Sequence, residues 1–267
     1  MRMPRAVLPA IILSTTALSA QPVTLQPKTP DKTTLRRTVP LAEGARLKVQ
    51  NVKGDIKVEA WDRPEVAFTG EFRPSRSGEQ VKVVFEAGND GFVIRGEFPG
   101  RRNGQGDEGP ACRMTLKVPR HARLDLESVN GRIAVAGLAA PVLCEASNGA
   151  IHAEDLSGGL DAKTMNGALS LIRIQGRIQA STNNGAVHGK TLDGKGEGIE
   201  IHTVNGAVSL SKVKLEGSVL ATAENGQVSM GTDGATKADA TKHRAEATFP
   251  GEGAIRVGTA NGGLILD

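Results

Sequence analysis

Asn166-Gly167-Ala168-Leu169-Ser170-Leu171 is the stretch whose reading decides the fold, because the chain keeps returning to it. Asn-Gly recurs at Asn130, Asn148, Asn166, Asn184, Asn205, Asn225 and Asn261, in steps of 18, 18, 18, 21, 20 and 36 residues, the last being twice 18. A fixed period of this size marks a solenoid, in which each repeat is one coil stacked on the next. An earlier stretch, Leu47-Lys48-Val49-Gln50-Asn51-Val52-Lys53-Gly54-Asp55-Ile56-Lys57-Val58, has the same shape with Lys53-Gly54 at its turn.

Aligning the repeats on Asn gives the core. Three residues after it stand Ile133, Ile151, Leu169, Val187, Val208, Val228 and Leu264. Five after it stand Val135, Ala153, Leu171, Gly189, Leu210, Met230 and Leu266. Six before it stand Leu124, Val142, Leu160, Ile178, Ile199, Val219 and Ile255, and four before it Leu126, Cys144, Ala162, Ala180, Ile201, Ala221 and Val257. The offsets on each side of the turn are two residues apart, so each coil holds two short strands that alternate inward and outward. The expectation is an all-β, right-handed parallel β-helix of about 18-residue coils, with its columns spaced at roughly 4.8 Å. A second turn follows Leu138, Leu156, Ile174, Leu192 and Val213.

The Asn-Gly corner reads as a sharp bend that wants positive φ, which Gly takes freely and Asn tolerates. Stacked Asn side chains can also bond one another along the axis. A structural turn ladder of Asn130, Asn148, Asn166, Asn184, Asn205, Asn225 and Asn261 accounts for every copy, whereas a polar ligand site would need only one or two.

The N-terminus carries an address. Arg2 and Arg5, the apolar run Ala6–Leu13 and the small residues Ala17-Leu18-Ser19-Ala20 read as a secretory signal over residues 1–20. Without its two arginines the formal charge falls from +4 to +2 (31 basic, 29 acidic), too mild and too scattered for nucleic acid. No later apolar run reaches the ~20 residues of a membrane span. An exported protein of the periplasm, the cell surface or the extracellular space is expected.

Residues 21–37, with Pro22, Pro27 and Pro30, read as a flexible tether, followed by a single solenoid domain over 38–267. Within it, 38–119 is less regular, 120–230 holds the regular coils, and 231–267 holds an irregular coil and C-terminal strands. The Gly-rich loop Arg101–Gly109 lacks the Gly-Lys-Ser/Thr ending of a phosphate loop. Cys112 continues the inward alternation of Met114, Leu116 and Val118, and Cys144 lies in the inward column beside Leu126. Export permits a disulfide between them, and two buried free thiols are the alternative.

The opening coil with Trp61, the Val118-Pro119 before Leu124-Asp125-Leu126, and the repeated Asn-Gly-x-aliphatic-x-aliphatic resemble the bacterial putative-adhesin family. The family consists of exported β-solenoid domains of unknown function, akin to adhesin-head and toast-rack domains. The resemblance spans about residues 38–267 and implies the fold; it brings no catalytic residues. Many members use Ser-Gly or Gly-Asp where this chain uses Asn-Gly.

No catalytic, cofactor-binding or metal site emerges from the residues. His152 and His188 share an outward column but have Ser170 between them, two coils and roughly 9–10 Å apart, too far to share one zinc. Asp125, Glu127, Glu145 and Asp161 point outward on neighbouring coils, with Lys163 beside them and no aromatic platform for a sugar. A charged solvent face explains them more simply than calcium or a glycosidase pair. The reading is a non-catalytic, adhesin-like binding or interaction module of the cell envelope, its partner an envelope protein or glycan. The alternatives are a passive structural spacer and, behind it, a polysaccharide-acting enzyme. The candidate docking face is the nearly uncharged pair of columns Ala150, Ala168, Ala186, Ala207 and His152, Ser170, His188, Ser209, the second running on to Ser229, because exposed strands usually carry charge against sticking.

Overall fold

The structure, a computed structural model, describes residues 22–25, 34–42, 44–75, 78–87, 91–99, 109–214, 216–225, 227–230 and 237–267. The leader expected at residues 1–20 and the loop residues 101–108 lie outside the described residues. The chain is all-β, and among the described residues it has 24 strands and no helix. The first eight are β1 (Val23–Leu25), β2 (Thr34–Pro40), β3 (Arg46–Lys53), β4 (Ile56–Trp61), β5 (Glu65–Arg73), β6 (Lys82–Ala87), β7 (Gly91–Glu97) and β8 (Ala111–Pro119). The regular coils comprise β9 (Arg123–Asn130), β10 (Ile133–Ala136), β11 (Val142–Asn148), β12 (Ile151–Leu156), β13 (Leu160–Asn166), β14 (Leu169–Gln175), β15 (Ile178–Asn184), β16 (Val187–Asp193), β17 (Ile199–Asn205) and β18 (Val208–Val213). The chain continues through β19 (Gly217–Ala223), β20 (Val228–Met230), β21 (Lys237–Ala240), β22 (Arg244–Phe249), β23 (Ala254–Asn261) and β24 (Leu264–Leu266).

Two sheets face each other across one core. The first has 13 strands in the order β1-β6-β7-β3-β9-β11-β13-β15-β17-β23-β19-β22-β21. The second has 11, in the order β2-β5-β8-β4-β10-β12-β14-β16-β18-β24-β20. Each coil gives one strand to each sheet, and neighbouring coils pair in parallel, so the architecture is a β-solenoid. Residues at one offset stack in register: Leu124, Val142, Leu160, Ile178 and Ile199 in the first sheet, and Ile133, Ile151, Leu169, Val187 and Val208 in the second. All of these are at most 3% exposed. Burying each such side chain contributes about 1.5–3 kcal/mol, which is why these inward columns are so strictly aliphatic.

The ends depart from chain order. Residues 62–119 hold a coil of their own, β7 and β8, which stacks outside β3 and β4 while β9 and β10 stack on the inner side. The expected tether of residues 21–37 is also partly sheet, since β1 lies antiparallel to β6 and β2 antiparallel to β5. These strands cover the end of the core, where Phe68 and Phe85 pack edge to face at 5.2 Å and Arg37 lies 4.7 Å over the Phe85 ring. Sequence periodicity could not reveal them, because antiparallel capping strands do not repeat.

At the other end, the stretch expected to be an irregular coil contains the antiparallel pair β21 and β22, which packs along β19. The chain then returns, and β23 and β24 enter between the β17/β18 and β19/β20 coils. Asn205 is therefore followed in space by Asn261, and Asn261 by Asn225. Two features favour this order. The inserted coil carries Ile255, Val257 and Leu264 inward, larger than the Val219, Ala221 and Val228 that stand opposite them in the coil it displaces outward, so the bulkier side chains are enclosed on both sides. The return also crosses the start of β19 where Gly217, Gly251 and Gly253 all have positive φ. A Cβ on Gly217 would lie 2.1 Å from the Gly253 carbonyl oxygen, so only glycine permits the crossing.

Candidate functional site

The most ordered surface feature is the Asn-Gly corner between the two sheets. Each Asn after Asn130 donates its Nδ2 to the Oδ1 of the Asn on the preceding coil of the stack. The bonds run Asn148 to Asn130 (3.1 Å), Asn166 to Asn148 (2.8 Å), Asn184 to Asn166 (2.8 Å) and Asn205 to Asn184 (2.9 Å). They continue from Asn261 to Asn205 and from Asn225 to Asn261, both at 2.8 Å. All seven amides point the same way along the axis. The ladder lies on the exposed corner, with its direction set by the stacking.

The glycine of the pair has a different role from the one expected. None of Gly131, Gly149, Gly167, Gly185, Gly206 and Gly262 has positive φ. A Cβ there would instead sit 2.0–2.1 Å from the carbonyl oxygen of the corner glycine in the adjacent coil. Close stacking of backbone on backbone, not turn dihedral, requires glycine here.

Beneath this stack runs a column the sequence reading did not use, two residues before each Asn. Thr164, Thr182, Thr203 and Thr259 are at most 6% exposed. Each donates its hydroxyl to the corner glycine carbonyl of the preceding coil, at 2.8–3.0 Å. Asn51 does the same work in the first coils, donating to the carbonyls of Gly54 (2.9 Å) and Cys112 (2.7 Å). Buried carbonyls need partners, so a hydroxyl residue recurring at an inward position beside the aliphatic columns was the available signal.

The second turn also has a repeating backbone feature. Asp155, Arg173, Thr191 and Lys212 have positive φ, and Gly137 holds the equivalent place in an earlier coil. Each swings the following Leu156, Ile174, Leu192 or Val213 into the core. Arg173 pairs with both Glu154 and Asp155, tying two of these corners together.

Of the candidate docking residues, Ala168, His188 and Ala207 are exposed and Ala150, His152, Ser170, Ala186 and Ser209 are half-buried. They lie in register, with His152 Nδ1 3.1 Å from Ser170 Oγ. Two details differ from the expectation. The column continues to Ile265, not Ser229, because of the inserted coil, and Ile265 is 55% exposed. The neighbouring outward column carries Glu154 and Lys190, and His152 lies 3.5 Å from Glu154, so this flank is less bare than its sequence implies.

The other flank of the corner holds a shallow groove of about 640 Å³ on the first sheet. Val52, Val129 and Met165, each one residue before its corner, line it and are 41%, 42% and 55% exposed. Gln50, Glu127, Glu145 and Lys163 form its polar side, and no aromatic ring lines it. Large apolar side chains at an odd offset were the sequence signal for this flank.

The acidic set is tied down rather than gathered into a centre. Asp125 is buried beneath Arg46 (2.8 Å) and Lys48 (3.6 Å), and Asp161 pairs with Lys163 (3.1 Å). Burial pushes the Glu127 carboxyl up, but hydrogen bonds from Lys48 and Gln50, with the Lys48 and Arg46 charges, outweigh it and hold the group below its ordinary value. The hydrogen bond to Glu127 raises Lys48 in turn. Among the described residues no three His, Cys, Asp or Glu side chains come together as a metal centre.

Cys112 and Cys144 are free thiols. Cys112 is in the outermost coil of the second sheet and Cys144 three coils further on in the first. Three strand spacings are roughly 14 Å, twice the ~7 Å beyond which Cα atoms cannot be bridged. The disulfide reading fails because two coils stand between them. Burial pushes the Cys112 thiol up to about 12 and raises Cys144 further, so both are inert as nucleophiles.

The fold and the Asn ladder define a parallel β-solenoid of stacked short strands. No protein-family profile and no curated protein matches the chain. Similar solved structures include a putative adhesin from Bacteroides fragilis, 9% identical, with a TM-score of 0.40 over 89% of this chain and 99% of that one. A putative cell adhesion protein from Clostridium sporogenes is 7% identical, with a TM-score of 0.39 over 87% and 98%. A putative lipid binding protein from Parabacteroides distasonis is 9% identical, with a TM-score of 0.33 over 89% and 98%. No helix among the described residues is long and apolar enough to cross a membrane.

Proposed function

We propose that the chain is a non-catalytic, adhesin-like binding module of the bacterial cell envelope that holds its partner along the Asn-Gly corner. One observation carries the reading. Three large apolar side chains, Val52, Val129 and Met165, stand exposed in one column beside a groove, where solvent-facing strand positions ordinarily carry polar residues. On the other side of the ladder the column next to the corner, Ala150, Ala168, Ala186 and Ala207, leaves it free of bulk. The groove's lining has no aromatic ring for a sugar to stack on, which favours a protein partner over a glycan. The leader-like pattern of residues 1–20 supports export to the periplasm or the cell surface.

The test is capture from envelope extract, with two double variants that leave the inward columns intact. Val129→Lys with Met165→Glu alters the groove flank, and Ala168→Lys with Ser170→Glu alters the opposite flank. Both should melt like the parent. The first should abolish partner capture, and the second should weaken it. Capture that survives the groove variant places the partner elsewhere, and a parent that captures nothing above a bare-solenoid control is a passive spacer.

A further inference from the structure

The slot between the β17/β18 and β19/β20 coils is filled by a coil that arrives out of chain order. We propose that this coil, residues 254–267, is exchangeable, and that the slot takes the same coil from a second copy of this chain to give a dimer. Three observations lead there. Each side of the slot matches the inserted coil column for column: Ile199, Ile255 and Val219 stack, as do Ile201, Val257 and Ala221, and Val208, Leu264 and Val228. The ladder passes through the insert by way of Asn261, so a vacated slot would break it at both neighbours. The segment leading into the insert, Pro250-Gly251-Glu252-Gly253, spans the crossing with two left-handed glycines and a proline, a short bend whose glycines can take other backbone angles freely.

Those contacts are the same whether the coil belongs to its own chain or to a partner. Exchange therefore alters little except the bend, which is the condition under which identical elements swap between protomers. The pairing is specific, because a foreign strand would have to match aliphatic, threonine and asparagine columns in register at once.

The test uses the full chain with Cys112 and Cys144 both replaced by Ala, in two variants that each carry one introduced cysteine, Ser209→Cys and Ile265→Cys, whose positions face each other across β18 and β24. Both sites are outward, and each variant is first checked to melt like the parent. The two are unfolded together, refolded at two concentrations about a hundredfold apart, and oxidised. Exchange predicts a dimer fraction that grows with concentration and contains a disulfide joining residue 209 of one chain to residue 265 of another. Absence of a dimer at either concentration overturns the proposal. So does a dimer lacking that bond. A third outcome, a disulfide within the monomer of a Ser209→Cys, Ser229→Cys double variant, also overturns it, because the slot then closes on its own chain instead of receiving a second one.

Discussion

At the residue scale the corner rests on two kinds of small side chain. The stacked glycines let backbones approach, and the buried threonines satisfy the carbonyls that this approach removes from water. Thr182→Val keeps the shape and removes the hydroxyl, leaving the Gly167 carbonyl without that partner. It should destabilise by about 1–3 kcal/mol in denaturant melts. At the second turn the sign reverses. Thr191 is β-branched and holds a φ of 59°, a conformation that costs an ordinary residue about 1–2 kcal/mol. Thr191→Gly should therefore raise the melting temperature, by roughly 2–4 °C if about 1 kcal/mol survives the added freedom of the unfolded chain. A lower melting temperature would mean that this backbone angle is not under strain. The Lys48–Glu127 pair joins two coils and gives a pH dependence. Glu127 is held below its ordinary value, so its contribution is complete above that value and is lost as pH falls through the folded one, on the acid side. Lys48 is raised, so its share persists below its ordinary value and is lost only as pH climbs through the folded one, in strongly alkaline solution. Both groups are about a third exposed, so less than about 1 kcal/mol is involved. Glu127→Gln should flatten the acid limb of stability by that amount, with the neutral plateau slightly lowered.

At the scale of strands and turns, periodicity makes some things legible and hides others. The inward positions, two residues apart on each side of Asn, could be read directly, since an aliphatic residue recurs wherever burial demands it. The β7/β8 coil could not, because its corner does not carry the motif at the repeat distance. The role of the corner glycine was also hidden. Asn-Gly suggests a left-handed turn to anyone reading one copy, and only the stack shows backbone pressing on backbone. The same applies to Gly217, which looks like an ordinary strand start in the sequence. Gly217→Ala would push a Cβ to within 2.1 Å of the Gly253 oxygen at a φ of 64°. A loss of more than about 2 kcal/mol is expected, combining the backbone penalty with the forced shift of the crossing. A variant as stable as the parent would show that the return segment does not cross there.

At the scale of the whole molecule, the solenoid was readable and its order was not. Equal spacing of the repeats invites the assumption that neighbours in sequence are neighbours in space, and the 36-residue step between Asn225 and Asn261 looked like a lost coil. The space of that coil is instead taken by the excursion through β21 and β22. Binding sites were the least legible feature of all. The flank that looked bare in sequence lies beside Glu154 and Lys190, while the groove on the opposite sheet depends on Val52, Val129 and Met165 lining up across coils far apart in the chain.

The coil order can be checked in dilute protein with two double-cysteine variants. In the order described here, residue 265 lies beside residue 209, and residue 229 lies two strand spacings from it, roughly 9–10 Å and beyond the reach of a disulfide. Under mild oxidation Ser209→Cys with Ile265→Cys should form an intrachain disulfide, and Ser209→Cys with Ser229→Cys should not. The reverse pattern would mean that the coils stack in chain order, and would contradict the insertion on which this account of the fold depends.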